Sequence, residues 1–126
     1  MTIQGAIGLV DEMKPNQLTE GQKIQWLSQL DHRVFREILC THEKDPAMPE
    51  TFAGYGTETA GSTELLVPPP YDEIYRFYLE MQIDLANMEL EKYNNSAALY
   101  NNAWGEFARA WHRAHMPRTI GKSWRF

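Results

Sequence analysis

The apolar positions of the chain fall into blocks of different spacing. Ile3, Ala6, Ile7, Val10 and Met13 recur at three- and four-residue steps and so share one helical face. Thr2 suits the cap in front of them. Lys14-Pro15-Asn16 ends the run, because the residue before a proline is pushed out of helical conformation. Gly5 and Gly8 weaken this first helix by about 1 kcal/mol each relative to alanine. A second stripe, Ile24, Leu27, Leu30 (or Asp31), Val34 and Ile38, has Trp26 and Phe35 beside it. Thr19 and Gln22 have capping-box spacing, so the pattern predicts a helix from Thr19 to near Thr41.

Residues 43–70 lose this periodicity and hold five prolines and three glycines. They read as a long loop, briefly extended at Glu64 to Val67. A segment of this length without structure of its own is usually functional or mobile, and the expectation is that a partner orders it. Pro68-Pro69-Pro70 then lead into a helical stretch, with Asp72 and Glu73 suited to the positive end of its dipole.

Leu79, Ile83, Ala86, Leu90, Tyr93, Ala97, Tyr100, Trp104, Phe107, Trp111 and Ala114 alternate four- and three-residue steps without a phase slip. Ile74, Tyr78, Met81, Leu85 and Met88 widen the stripe at its start. Unbroken, Leu79 to Ala114 would span about 54 Å. Asn94-Asn95-Ser96 are poor helix formers that also cap helix starts, so the stretch is continuous, kinked or folded into a hairpin there. A hairpin would not require the seam to keep phase, which favours continuity. Beyond Pro117 no periodicity remains. The reading is all-α: two short N-terminal helices, a long Pro/Gly-rich loop, a long amphipathic helix and an extended tail. Residues 1–117 form one helical domain and 118–126 the tail.

Composition narrows the function more than the fold. One domain fits the 126 residues, and a net charge of −5 argues against a general polyanion binder. No apolar run approaches the roughly 18 residues of a membrane span. The N-terminus lacks the basic-then-apolar order of a secretory signal, and Cys40 alone cannot build a disulfide framework, which fits a reducing cytoplasm. Charge is uneven: residues 1–73 hold 12 acids and 5 bases, residues 74–126 hold 7 bases and 5 acids. From His112 onward there are Arg113, Arg118, Lys122 and Arg125 and no acid.

Candidate chemistry is thin. His112 and His115 are three apart, a spacing some metal ligands use, but no cysteine stands near, and two polar residues at a helix end are the plainer account. Cys40-Thr41-His42-Glu43 puts thiol, imidazole and carboxylate close in sequence, whereas nucleophile and base usually meet through the fold. Gly54, Gly56 and Gly61 lack the lysine of a phosphate loop, since none falls between Lys44 and Lys92. No catalytic, metal or cofactor site is expected. The expectation is a structural protein, not an enzyme.

The layout, with the phrases TELLVPPPYDEIYRFYLEMQIDLANME, YNNSAALYNNAW and the ending RAHMP, resembles the head–tail connector (adaptor or head-completion) proteins of siphophages and related prophages. The resemblance covers most of residues 2–117. It implies a mostly helical protein of the virion neck, made in the host cytoplasm, that forms a ring of about twelve copies beneath the portal. The ring would prolong the DNA channel, and the next tail component, a stopper or tail-completion protein, would bind below. Genomic duplex DNA would pass without sequence-specific binding, which favours an acidic or neutral lumen lined from the first 73 residues.

On this resemblance Arg118, Lys122, Trp124, Arg125 and Phe126 would dock on the portal. Tyr93, Tyr100, Trp104, Phe107 and Trp111 would pack between ring neighbours, because the seam looks too long for two short helices to cover. Phe52, Tyr55, Glu58 and Glu64 would face the lumen or the tail. Another neck protein, a stopper or tail-completion factor, would carry more β-structure than this pattern shows. A DNA-packaging subunit would need a basic recognition helix, and the one cationic cluster is the tail.

Overall fold

The computed structural model describes residues 1–118, so Lys122, Trp124, Arg125 and Phe126 lie outside the described residues. Four α-helices account for most of these: α1 (Ile3–Met13), α2 (Glu20–Val34), α3 (Ile74–Ala86) and α4 (Leu90–Ala114). The chain is all-α, with two isolated backbone bridges among the described residues.

The first two helices follow their local signals. Thr2 and Thr19 are the N-caps, their hydroxyls accepting from the Gly5 and Gln22 amides at 2.9 and 3.1 Å. Ile3, Ala6, Ile7 and Val10 bury the predicted face of α1, and Ile24, Leu27, Leu30 and Val34 that of α2. Helix α2 continues as one π-helical turn, Phe35–Leu39, closed by the Cys40 amide donating to the Phe35 carbonyl. Lys23, itself buried, reaches Asp11 at 2.6 Å and ties α2 to α1.

The long helix expected after the prolines is instead two helices, and the break is not at Asn94–Ser96. The chain turns at Asn87–Glu89. Met88 donates to the Leu85 carbonyl and Glu89 to that of Asp84, the paired bonds of a Schellman stop. Its left-handed position is Met88, φ 58°, a place where a side chain other than glycine or asparagine costs about 1–2 kcal/mol. Helices α3 and α4 then run antiparallel: Asp84 meets Ser96, Tyr78 faces Tyr100, and Tyr71 faces Phe107. Away from the turn both arms bury the seam on each other, at Leu79, Ile83, Tyr100 and Phe107, while Ala86 and Leu90 beside the turn are exposed. Asn94 and Asn95 are exposed within α4, and Ser96 is buried, its hydroxyl donating to Asp84 at 2.7 Å.

The long loop is held by the chain itself, contrary to the expectation that a partner would order it. Carbonyls of Thr63 and Gly61 accept from the Ile3 and Gln4 amides, which no carbonyl within α1 could satisfy. Leu65, Leu66 and Val67 are buried. The anchor is Asp31, at 0% exposure inside the apolar stripe of α2. Its Oδ2 accepts from the Tyr55 hydroxyl (2.5 Å) and the Leu66 amide (3.0 Å), and Oδ1 accepts from the Tyr75 hydroxyl at 2.6 Å. Tyr75 in turn accepts from the Val67 amide. Burial pushes the Asp31 carboxyl above its ordinary value, the three donors opposing that only in part. Gly54 completes the seat. Its φ is 95°, and a Cβ there would come within 2.8 Å of His32 and Ser28, where the Ser28 hydroxyl accepts from the Tyr55 amide.

Candidate functional site

The aromatic residues expected between ring neighbours lie in the chain's own core. Tyr100, Phe107 and Trp111 are 4%, 1% and 6% exposed, and Tyr93 and Trp104 pack against them half-buried. Arg33 of α2 donates to the Tyr100 hydroxyl at 2.8 Å and stacks over the Trp104 ring at 3.9 Å, covering the middle of α4. The seam is thus covered mainly by α3, with the Arg33 side chain of α2 lying over its middle. The two short N-terminal helices indeed cover little of the seam; its own first arm, α3, covers most of it, so burying it needs no neighbouring copy.

The loop residues divide. Phe52 packs edge-on to His32 and Tyr55, and Tyr55 is tied to Asp31, so both serve the core. Glu58 and Glu64 are exposed.

The most structured polar surface lies where α4 ends. Glu43 donates to the Met116 carbonyl and Arg118 to that of Thr41, both at 2.8 Å, forming a short antiparallel bridge centred on His42 and Pro117. Two histidine contacts flank it. His42 Nδ1 lies 2.8 Å from the Ile38 carbonyl, which can only accept, so that nitrogen carries the proton. Its Nε2, 3.2 Å from His112 Nδ1, is then free to accept. His115 stacks on Trp111 at 3.8 Å with its Nδ1 on the Trp111 carbonyl, and its Nε2 meets Asp45 at 2.8 Å. The bond from His115 and the Ala47 amide hold the Asp45 carboxyl below its ordinary value.

Two sequence candidates lie in this region. Both nitrogens of His42 are engaged, with Ile38 and His112, which leaves neither for Cys40. His112 and His115 turn to different partners, and no group of three metal-ligating side chains forms among the described residues. Arg118 is exposed, and its backbone is pinned to Thr41, beside Lys44 and Met48. The histidine contacts join residues 70 apart in sequence, and no local pattern announces them.

No protein-family model, no curated protein and no solved structure matches this chain.

Proposed function

We propose that the protein is a head–tail connector of a tailed phage, an adaptor that forms a ring below the portal, extends the DNA channel and receives a stopper or tail-completion protein beneath. The observation that carries this reading is the exit of the chain at Arg118. The backbone there is fixed by the bridge to Thr41 and the residue is exposed, which supports reading the sequence that follows it, with Lys122, Trp124, Arg125 and Phe126, as a docking arm. Aromatic and arginine side chains together in one short sequence suit docking into a groove of a second protein. A helical body tied by Asp31, Asp84 and the histidine contacts is the rigid base such an arm needs. The resemblance of the sequence phrases to those of connector proteins points to the portal as the partner.

The test is co-expression with the portal, followed by affinity capture and electron microscopy of the complex. The reading expects a ring on the portal and loss of capture when the chain is cut after Pro117, with the helical circular dichroism unchanged. A protein that ignores the portal at micromolar concentration sinks the proposal. Salt-sensitive binding to duplex DNA in a gel-shift assay would instead favour a DNA-packaging subunit.

A further inference from the structure

The turn between α3 and α4 presents an apolar tip. Met88 is 82% exposed, Leu90 64% and Leu85 48%, and Met13 at the end of α1 is half exposed. Lys14, next to Met13, reaches Asp84, which brings the end of α1 to the same end of the molecule. Met88 holds a left-handed backbone position that favours glycine. A large apolar side chain set in water, at a site that penalises its backbone, marks an interaction surface. The rim of the tip is acidic: Glu89 pairs with Lys92, while Glu91 has no cationic partner among the described residues.

The far end of α4 is its complement. Ala108 and the carbon stems of Arg109, His112 and Arg113 line a shallow depression on one face of α4, widely open to solvent. Neither Arg109 nor Arg113 has a carboxylate partner among the described residues. Leu90 and Ala108 are separated along the helix by about 27 Å, so both surfaces belong to every copy and cannot meet within one.

We infer that the acid-rimmed apolar tip of one copy seats on the arginine-rimmed depression at the end of α4 in a second copy. The two patches differ, so the contact is head-to-tail. It builds a closed ring or an open filament, not a two-fold dimer. The apolar groups supply the buried area, and Glu91 opposite Arg109 or Arg113 sets the direction. The inference rests on the ring-forming part of the connector reading.

Cross-linking tests it directly. In a Cys40→Ser background, Met88→Cys and Ala108→Cys are made singly and together and treated with a short bis-maleimide. A mixture of the two single variants should give a covalent dimer, and the double variant a ladder of multimers. Met88→Cys alone giving the dimer would mean tip-to-tip pairing and overturn the proposal, as would no cross-link in either the mixture or the double variant. Arg113→Glu should weaken association at least about tenfold, with Glu91→Arg restoring part of it. Met88→Gly should weaken association without lowering the unfolding temperature, and unchanged association would count against the tip. Portal capture is scored separately: cross-linking without capture keeps the contact and removes the connector reading, and capture without cross-linking does the reverse.

Discussion

Asp31 and Asp84 are both sealed from water, and they are stabilised in opposite ways. Asp84 has a cation: Lys14 Nζ lies 2.5 Å from Oδ1, and the Ser96 hydroxyl donates to Oδ2 at 2.7 Å. Asp31 has none in contact, only two tyrosine hydroxyls and one amide. The difference follows what each must hold. Asp84 joins three helix segments whose backbone bonds are already made, and Lys14, partly exposed, can bring its charge in from the surface. Asp31 must recruit a loop. Its donors come from that loop and from α3, so the carboxylate satisfies groups that no helix or sheet would otherwise pair. Without a cation the desolvation of Asp31 goes unbalanced, which is why its carboxyl titrates above the usual range.

This contrast can be broken from either side. Asp31→Ala is expected to have the largest effect, about 3–5 kcal/mol in urea unfolding, because two hydroxyls and an amide lose their acceptor together. Hydrogen exchange should show the amides of Tyr55, Leu66 and Val67 losing protection before the helices do. A loss below about 1 kcal/mol would show that the loop is held elsewhere.

Lys14→Met comes next, at about 2–4 kcal/mol, since it strands the Asp84 charge. Adding Asp84→Asn should recover much of that loss, whereas pairing Asp31→Asn with Lys14→Met should recover none. Tyr75→Phe should cost about 1–3 kcal/mol by orphaning the Val67 amide and one Asp31 oxygen. Tyr55→Phe should cost less, its ring being half-buried, and the same unfolding series measures both.

The smallest effect is the pH response. The Asp31 carboxyl is raised above 3.8, so the folded state binds its proton more tightly than the unfolded chain does. Its contribution to stability is therefore greatest at low pH, falls as pH rises from about 3.8 through the raised folded value, and is level above that. Asp45 works the other way: its lowered carboxyl contributes above 3.8 and loses that contribution as pH falls through its folded value. Comparing the wild type with Asp31→Asn across pH 4 to 7 isolates the first response; a difference that does not grow toward low pH would contradict it.

The parts of the fold legible in the sequence were those with local causes. Thr2 and Thr19 cap helices where their spacing predicts, and the stripes of α1 and α2 are buried except for Met13 at the end of α1, which is half exposed. The turn at Asn87–Glu89 was hidden because its left-handed position carries methionine instead of glycine, and because the apolar phase runs through it unbroken. Asn94-Asn95-Ser96 mimicked a stop, yet Ser96 is there to reach Asp84 across the hairpin. The anchored loop left one trace, an aspartate within the apolar stripe of α2. Its partners, 24 to 44 residues away, follow no period that a sequence window can register. The His42–His112 and His115–Asp45 contacts depend wholly on tertiary placement.

The bridge between His42 and Pro117 has a mechanical consequence. A pull on the chain beyond Arg118 meets the Arg118–Thr41 and Glu43–Met116 bonds before it reaches the last turn of α4. Load entering there passes across to the π-helical turn and α2, and through them to the centre of the molecule, instead of peeling α4 from its own end. Force arriving through the tail is thus shared by two helices from the outset, and the first bonds to give way are two backbone rungs that can re-form when the load is released.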